Sequence, residues 1–165
     1  MTGLPGSGKT SLAAPLAPAL GIPCLSKDTI KEALWDCLGP GDRAWGTVLG
    51  RAASVALESL AGSVPGAVID HFVHADNTAQ WSTLPNVVEV RCACATDVSR
   101  RRYGERRRHP CHFDAEQLID AYDRWVDDDA RRPPVGPRLD VDTARAVDID
   151  AIVRWVRRAW APPAQ

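Results

Sequence analysis

The stretch Gly3-Leu4-Pro5-Gly6-Ser7-Gly8-Lys9-Thr10 decides the fold, because it fits the phosphate-loop pattern G-x-x-x-x-G-K-[ST] without a mismatch. Its glycines allow backbone angles that a Cβ would forbid, so consecutive N–H groups can turn inward around a phosphate. Lys9 is placed to reach the β- and γ-phosphates of a nucleoside triphosphate, and the Thr10 hydroxyl to ligate Mg²⁺. The pattern predicts these nucleotide-binding residues: Gly3, Leu4, Pro5, Gly6, Ser7, Gly8, Lys9, Thr10 and Ser11.

Only Met1 and Thr2 precede this loop, whereas a phosphate loop normally follows a buried β-strand. The two residues can be no more than the last part of such a strand. The sequence leaves two explanations open: the working protein has further apolar residues before Met1, or the fold lacks its usual central strand. N-terminal mass spectrometry of the native protein distinguishes the two.

The composition limits the classes of protein that need to be considered. The chain has 165 residues, of which 45% are hydrophobic, so residues 1–165 are predicted to form a single domain with a proper core. The net charge of −1 provides no global field toward nucleic acid or a membrane surface. No apolar run has the length of a membrane span, no signal peptide is visible, and five cysteines predict reduced thiols in the cytoplasm.

Apolar runs and helical periodicities alternate along the chain. The predicted strands are residues 22–25, 67–70, 87–94 and 139–143, and the predicted helices are 10–20, 29–38, 43–60, 113–130 and 149–160. This alternation predicts an α/β fold whose parallel sheet is covered on both faces. A stripe on the helix 113–130 is predicted to be buried in the core: Leu118, Ile119, Tyr122, Trp125 and Val126.

Two aspartates stand at the carboxyl ends of predicted strands, which is the edge of an open α/β sheet where ligands bind. Asp28 follows the strand 22–25, and this position favours a catalytic role, although helix capping is an alternative. Asp70 ends the strand 67–70, where phosphate-loop proteins hold Mg²⁺, with capping of the next turn as the alternative. His71 and His74 beside it are interpreted as polar loop residues.

The cysteines and histidines of the second half allow a zinc site on paper. Cys92 and Cys94 share one face of a predicted strand, and His109, Cys111 and His112 follow downstream. The spacing matches no common structural zinc pattern, so core thiols are the favoured interpretation.

Arginines are concentrated between residues 100 and 108. A helix beginning near Asp97 would place Arg102 and Arg106 one turn apart on a common face. Two guanidiniums together suit a triphosphate that loses its terminal group, because they meet the charge on the transferring oxygens. Gly104 and Pro110 suggest that the segment is hinged, which favours a closing lid. A solvated arginine face or an RNA-contacting patch is the alternative.

Four motifs, GLPGSGKT, SKDTIKE, VIDHF and RRRYGERRRHPCH, occur in an order that resembles the small P-loop kinases. These include the kinase module of polynucleotide kinase, chloramphenicol phosphotransferase, gluconate kinase and the zeta-toxin group. The resemblance covers nearly the whole chain. It implies an α/β, three-layer P-loop NTPase fold of the nucleoside-monophosphate-kinase type, with a parallel sheet, a short arginine-rich lid at about residues 102–114 and a truncated first strand.

The resemblance also implies roles for individual residues. Lys9 and Thr10 match the Walker lysine and the Mg²⁺-binding hydroxyl, and Asp28 matches the aspartate that orients and deprotonates an acceptor hydroxyl. Lys31 lies where polynucleotide kinase carries an arginine that holds the acceptor's own phosphate. Asp70 matches the acid at the end of the third strand, with expected contacts to metal and substrate.

Arg102 and Arg106 resemble the lid arginines of these kinases, with Arg108 as a further candidate. The predicted catalytic residues are therefore Lys9, Asp28, Arg102 and Arg106, and the predicted cofactors are ATP and Mg²⁺. The predicted function is ATP-dependent phosphoryl transfer to a hydroxyl of a small-molecule or nucleotide-like acceptor. Three alternatives stay open: a nucleic-acid 5′-hydroxyl kinase, an ATPase or switch, and a nucleotide-binding module without turnover. A membrane partner is not expected.

Overall fold

A computed structural model describes residues 1–113 and 121–160 of the chain. Four strands alternate with helices: β1 (Cys24–Ser26), β2 (Val68–Asp70), β3 (Glu89–Ala93) and β4 (Arg138–Asp142). The helices are α1 (Lys9–Leu20), α2 (Lys27–Leu38), α3 (Arg43–Ser63), α4 (Thr78–Ser82), α5 (Thr96–Glu105), α6 (Tyr122–Arg131) and α7 (Ile149–Ala159). Short 3₁₀ turns occupy Ala75–Asn77 and Pro110–His112.

The strands form two parallel pairs, β1 with β2 and β3 with β4. The first two residues lie between the pairs. Thr2 forms a parallel bridge with Arg91 of β3, and the terminal amine of Met1 donates a hydrogen bond to Ile69 O of β2 at 2.7 Å. An apolar cavity of about 370 Å³ lies beside these residues and is lined by β2 and β3, one strand of each pair. Met1 and Thr2 thus lie between β2 and β3, where the sequence analysis expects the last residues of the strand that precedes the phosphate loop.

Apolar side chains cover both faces of the strands, because successive residues of a strand point in opposite directions. On one face, α1 and α7 pack their apolar residues against Val68 of β2 and Val90 of β3. On the other face, Leu57 of α3 packs with Trp81 of α4, and Ile69 joins this cluster. The predicted arrangement of a parallel sheet between two helical layers is confirmed. Within the described residues, no helix has the length and apolar character needed to cross a membrane.

Several predicted boundaries differ from the structure. β1 begins two residues later than predicted, at Cys24, and α3 extends to Ser63. The helix predicted from Phe113 does not begin there, because Phe113 has φ 47° and ends a 3₁₀ turn. Residues 114–120, which include Leu118 and Ile119 of the predicted stripe, lie outside the described residues.

Candidate active site

The phosphate loop forms an open cradle at the start of α1. Gly8 is the N-cap with φ 93°, and neither a capping side chain nor an acidic residue in the first turn occupies the free N–H groups there. Gly6 has φ 84°, and a Cβ on it would come within 3.0 Å of the Ser99 backbone oxygen. These two positions require glycine, which keeps the N–H groups at the loop and helix start available to an anion.

Lys9 folds back over this cradle. Its Nζ donates hydrogen bonds to Gly3 O at 2.8 Å and Leu4 O at 2.9 Å, and it lies 5.7 Å from the centroid of the Phe72 ring. Burial lowers the pKa of Lys9 to about 8, although the charge of Asp70 opposes this shift. The ammonium is therefore poorly compensated where it lies, which suits a group that binds phosphate oxygens.

Thr10 and Asp70 meet at the end of β2. The Thr10 hydroxyl donates a hydrogen bond of 2.6 Å to Asp70 Oδ2, and Asp70 is buried with 6% exposure. Two oxygen donors beside a phosphate cradle fit Mg²⁺, which favours oxygen ligands and keeps positions for water and phosphate oxygens. No cluster of three or more His, Cys, Asp or Glu side chains suited to a metal occurs among residues 1–113 and 121–160.

Asp28 lies in the first turn of α2 and lines the same cavity as the phosphate loop. The N-cap of this helix is Ser26, whose Oγ accepts from Thr29 N at 3.5 Å, so capping does not account for Asp28. Its carboxylate accepts a hydrogen bond from Arg108 Nη2 and forms an ion pair with it. Burial alone would raise the pKa of Asp28, but Arg108 and then His112 outweigh burial and lower it.

The two predicted lid arginines line the same cavity but do not share a helical face. Arg102 lies in the last turn of α5, and both of its terminal nitrogens donate to Thr143 O at 3.2 Å. Arg106 is the first residue after α5 and has extended backbone angles, so the predicted helical spacing is wrong for it. Its guanidinium lies 4.7 Å from the centroid of the Tyr103 ring, and burial, followed by repulsion from Arg108, lowers its pKa.

The segment after α5, residues 106–113, is attached to α2 by a row of carboxylates. Glu32 and Asp36 follow Asp28 at four-residue intervals, so all three lie on one face of α2. His112 Nε2 lies 2.8 Å from Glu32 Oε1, and His109 Nε2 lies 3.0 Å from Asp36 Oδ1. Together with the Asp28–Arg108 contact, these pairs hold the segment against the helix that carries Asp28.

Apolar packing reinforces this attachment. Cys111 is fully buried in a cluster with Trp35 and Leu49, and Phe113 stacks edge-on against Trp35 with ring centroids 5.8 Å apart. Cys92 belongs to a different cluster, between α1 and the strands. The two thiols are therefore core residues of separate clusters, as the sequence analysis favoured over a zinc site.

One cavity of about 720 Å³ brings most of the predicted site residues together. Of the predicted nucleotide-binding residues, six line it: Pro5, Gly6, Gly8, Lys9, Thr10 and Ser11. The other predicted residues that line it are Asp28, Lys31, Asp70, Arg102 and Arg106, together with Arg108. Gly3, Leu4 and Ser7 belong to the loop but do not line the cavity. Ser7 O, for example, accepts a hydrogen bond of 2.6 Å from Thr143 Oγ1.

The structure adds residues that the sequence analysis missed. Lys27 and Arg145 supply further positive charge to the cavity, and Phe72 forms part of its wall with Trp125, their ring centroids 6.4 Å apart. The sequence analysis assigned Trp125 to the core, but it is only partly buried and lines the cavity. For Phe72, the sequence motif VIDHF could have indicated a place in the site, because Phe72 follows Asp70 by two residues.

His71 is a buried neutral imidazole beside the predicted metal ligand Asp70. It is 4% exposed, and its two ring nitrogens have no hydrogen-bond partner among the described residues. Burial, aided by the charge of Lys27, lowers its pKa to about 3. The sequence analysis interpreted it as a polar loop residue, but it is packed 5.4 Å from the Trp81 ring and lines both cavities.

The fold and this cavity define a P-loop kinase-like protein. A "putative kinase" from Chloroflexus aurantiacus, known from its crystal structure, shares 30% sequence identity and superposes with a TM-score of 0.76. The alignment covers 97% of each chain. The present chain belongs to the same family as that protein. No family model and no curated protein matches the chain.

Two more distant structures have the same fold. The shikimate kinase of Bacteroides thetaiotaomicron is 18% identical, with a TM-score of 0.62 and coverage of 95% of this chain and 94% of its own. The deoxyadenosine kinase of M. mycoides, solved with bound dATP, is 14% identical, with a TM-score of 0.55 and coverage of 94% and 96%. At these identities the likeness concerns the fold alone. It confirms the predicted fold class and leaves the narrower grouping with polynucleotide kinase and zeta toxins a prediction.

Proposed function

We propose that the protein is an ATP-dependent phosphotransferase that moves the γ-phosphate to a hydroxyl of a small-molecule or nucleotide-like acceptor. The observation that carries the proposal is the convergence of three features in one cavity: the phosphate loop, the Thr10–Asp70 pair and Asp28. The similarity to solved kinases supports the reaction class. The acceptor and Mg²⁺ belong to the proposal.

In this proposal the phosphate loop and the start of α1 bind the triphosphate through backbone N–H groups. Lys9 leaves Gly3 O and Leu4 O to contact phosphate oxygens, which compensates its buried charge. Thr10 and Asp70 hold Mg²⁺, which when bound neutralises charge on the β- and γ-phosphates. Trp125 and Phe72 form an aromatic wall near Lys9, where an acceptor can pack.

Asp28 acts as the general base. It orients the acceptor hydroxyl and takes its proton as the oxygen–phosphorus bond forms, while the bond from the γ-phosphorus to the bridging oxygen breaks and ADP leaves. Arg102 and Arg106 meet the charge that develops on the transferring oxygens. The described part of the predicted lid, residues 102–113, excludes water when it closes, which limits hydrolysis of the nucleotide.

The placement of the arginines favours a small acceptor over a nucleic acid. Arg102, Arg106 and Arg108 line the cavity, and Arg100 forms an ion pair with Asp123. Three of the six arginines between residues 100 and 108 therefore face the cavity, whereas Arg101 and Arg107 are exposed to solvent. A 5′-hydroxyl kinase that grips several phosphates would lose affinity steeply with ionic strength.

The test compares Asp28→Asn with Asp36→Asn, which removes an exposed carboxylate two turns along the same helix. ADP release is measured with pools of nucleosides, short oligonucleotides, sugars and aminoglycoside-type antibiotics, and ADP affinity by calorimetry. Asp28→Asn is expected to lower acceptor-dependent turnover about 10²- to 10⁴-fold, with little change in ADP affinity. Asp36→Asn is expected to leave turnover within about a factor of three.

Three results would contradict the proposal. Full acceptor-dependent turnover in Asp28→Asn would remove the assigned role of this carboxylate. ADP release that ignores every pool and survives the substitution would favour the ATPase or switch, and nucleotide binding without any turnover would favour a binding module.

A further inference from the structure

A histidine and an aspartate form a pair at one wall of the active-site cavity. His74 follows the end of β2 by four residues and lines the cavity, whereas Asp128 of α6 lies behind it, outside the cavity lining. His74 Nδ1 lies 3.0 Å from Asp128 Oδ2. Both oxygens of this carboxylate also accept a hydrogen bond from Ala75 N at 3.2 Å. The backbone next to His74 therefore fixes the carboxylate that holds its ring.

The pair determines which ring nitrogen of His74 carries the proton. A carboxylate offers only acceptor oxygens, so Nδ1 is the nitrogen that donates the hydrogen bond to Asp128. In the neutral ring, Nε2 then keeps a free electron pair. Nε2 has no hydrogen-bond partner among the described residues, and the His74 side chain is 42% exposed, so a bound molecule can reach it. His74 thus offers a hydrogen-bond acceptor to the contents of the cavity.

Two aromatic side chains lie next to this acceptor. The His74 ring meets Phe72 edge-on with ring centroids 4.5 Å apart, and Phe72 meets Trp125 edge-on at 6.4 Å. Trp125 and Asp128 are three residues apart, so one face of α6 supplies both an aromatic wall and the partner of His74. A flat ring can pack against this wall and reach Nε2 with its edge.

This part of the cavity lies close to the position of phosphoryl transfer. Lys9 Nζ lies 5.7 Å from the centroid of the Phe72 ring, against which the His74 ring packs. The two centroid distances together place the His74 ring within about 10 Å of the Lys9 ammonium. A small acceptor can span this distance between its reacting hydroxyl and a second polar group.

We propose that the acceptor is a ring-shaped molecule, such as a sugar or a nucleoside, whose flat face packs against Phe72 and Trp125. A hydroxyl or amino group at the edge of that ring donates a hydrogen bond to His74 Nε2. Asp128 is the positioning residue that keeps His74 in the tautomer able to accept it, and Asp28 remains the base. This inference rests on the proposed function and narrows its substrate class.

The tautomer is tested on the protein without any ligand. Proton–nitrogen correlation NMR at about pH 8 shows which nitrogen of each histidine ring is protonated, and the spectrum of His74→Phe identifies the His74 signals. Protonation of Nδ1 is expected. Asp128→Ala should move the proton toward Nε2, whereas Asp127→Ala, at the exposed neighbouring position, should leave it on Nδ1. A wild-type His74 ring protonated on Nε2 would overturn the inference.

A turnover experiment tests the recognition. Acceptors are identified by phosphorylated product in the pools of nucleosides, sugars, oligonucleotides and antibiotics, with glycerol as a ring-free alcohol in a separate arm. The best acceptor is then compared with analogues that each lack one hydroxyl or amino group. Removing the group that meets His74 should raise KM about 3- to 10-fold with little change in kcat, the loss of one neutral hydrogen bond.

Two variants of His74 separate recognition from a structural role. His74→Phe should raise KM by the same factor for the intact acceptor and have no further effect on the analogue that lacks the donor, because the two changes remove one interaction. His74→Gln, which keeps an acceptor oxygen, should recover part of the loss. ADP affinity and the thermal midpoint are expected to stay unchanged in both variants.

The outcomes distinguish this inference from the proposed function. A higher kcat/KM for glycerol than for every ring, or an unchanged KM in His74→Phe for every acceptor, overturns the inference alone. A loss of kcat of about 100-fold in His74→Phe with KM unchanged also overturns it, since His74 would then take part in proton transfer. Absence of product in every arm overturns the proposed function itself. The better class among the phosphorylated rings, sugar or nucleoside, identifies the kind of acceptor.

Discussion

Replacing Glu89 by glutamine is expected to destabilise the protein by about 3–5 kcal/mol, because it breaks a buried charge network. The side chains of Glu89 and Arg132 are 0% exposed and lie 2.5 Å apart. Glu89 also accepts hydrogen bonds from Thr2 Oγ1 at 2.5 Å and Val135 N at 3.0 Å, and pairs with Arg138 at 3.1 Å. One carboxylate therefore joins the first residues of the chain, β3 and the segment before β4.

The expected loss of stability follows from the charge that the Glu89→Gln substitution leaves unpaired. Glutamine keeps the size of the side chain but loses its charge. Among the described residues, buried Arg132 then keeps Asp129, 3.8 Å away, as its counter-ion. Removing one partner of a buried ion pair costs more than the pair contributed, since the remaining charge is desolvated and uncompensated. Adding Arg132→Met to Glu89→Gln should therefore recover part of the lost stability.

The assay is urea unfolding followed by the fluorescence of the six tryptophans. The matched control is Asp140→Asn, which breaks a 3.4 Å pair with Arg91 whose aspartate is 59% exposed and which should cost less than about 1 kcal/mol. A Glu89→Gln protein within 1 kcal/mol of wild type would refute the reasoning. So would a double variant with Arg132→Met that is less stable than Glu89→Gln alone.

The same network predicts the acid sensitivity of the fold. Burial raises the pKa of Glu89, but hydrogen bonds from Arg132, Thr2 and Val135 outweigh it and lower the value from 4.5 to about 2. Because the folded pKa is the lower one, this stabilisation is fully present above pH 4.5 and is lost as the pH falls toward 2. Glu89→Gln should flatten the decline of stability in that window, which urea unfolding at several pH values measures.

Three further predictions concern the phosphate loop. Gly6→Ala should weaken ADP binding at least tenfold and lower the thermal midpoint, because its Cβ would collide with Ser99 O. Gly104→Ala, with open space around its Cβ, should preserve both ADP affinity and thermal midpoint. Equal effects of the two substitutions would contradict the requirement for glycine at position 6. The pKa of Lys9 near 8 predicts that ADP affinity falls above pH 8. The stability of the nucleotide-free protein should rise between pH 8 and 10.5, because the unfolded chain binds more protons than the folded one there. Both trends should vanish in Lys9→Met, and their persistence in that variant would refute the assignment to Lys9. Thr10→Ala should abolish the gain in ADP affinity that Mg²⁺ gives over EDTA, measured by calorimetry, and an unchanged gain would remove Thr10 from the proposed metal site.

Much of the fold could be predicted because its signals are local. The glycines at positions 6 and 8 are required by backbone angles within the loop itself, and the start of α1 follows directly from them. Short apolar runs alternating with helical periodicity are sufficient to predict a parallel sheet between helices. Boundaries were less reliable, as at Arg106, where the helix ends one residue too early for the predicted face.

The row of carboxylates on α2 could have been predicted from the sequence, but the sequence analysis did not identify it. Asp28, Glu32 and Asp36 stand at a four-residue spacing that places them on one helical face. Their partners, however, come from a segment whose described regular structure is a single 3₁₀ turn, 73 to 80 residues later in the chain. No periodicity determines which side chain of such a segment faces which turn of a helix.

The sequence alone determined the phosphate loop, the alternation of strands and helices, and the presence of acids at two strand ends, because each depends on neighbours within a few residues. Only the tertiary structure decided that Thr10 bonds Asp70, that Arg108 covers Asp28, and that further cations line the same cavity. These contacts join residues 60 to 80 positions apart. They depend on strand order and on packing of α2 and α5 around one cavity, which local chain preferences do not encode.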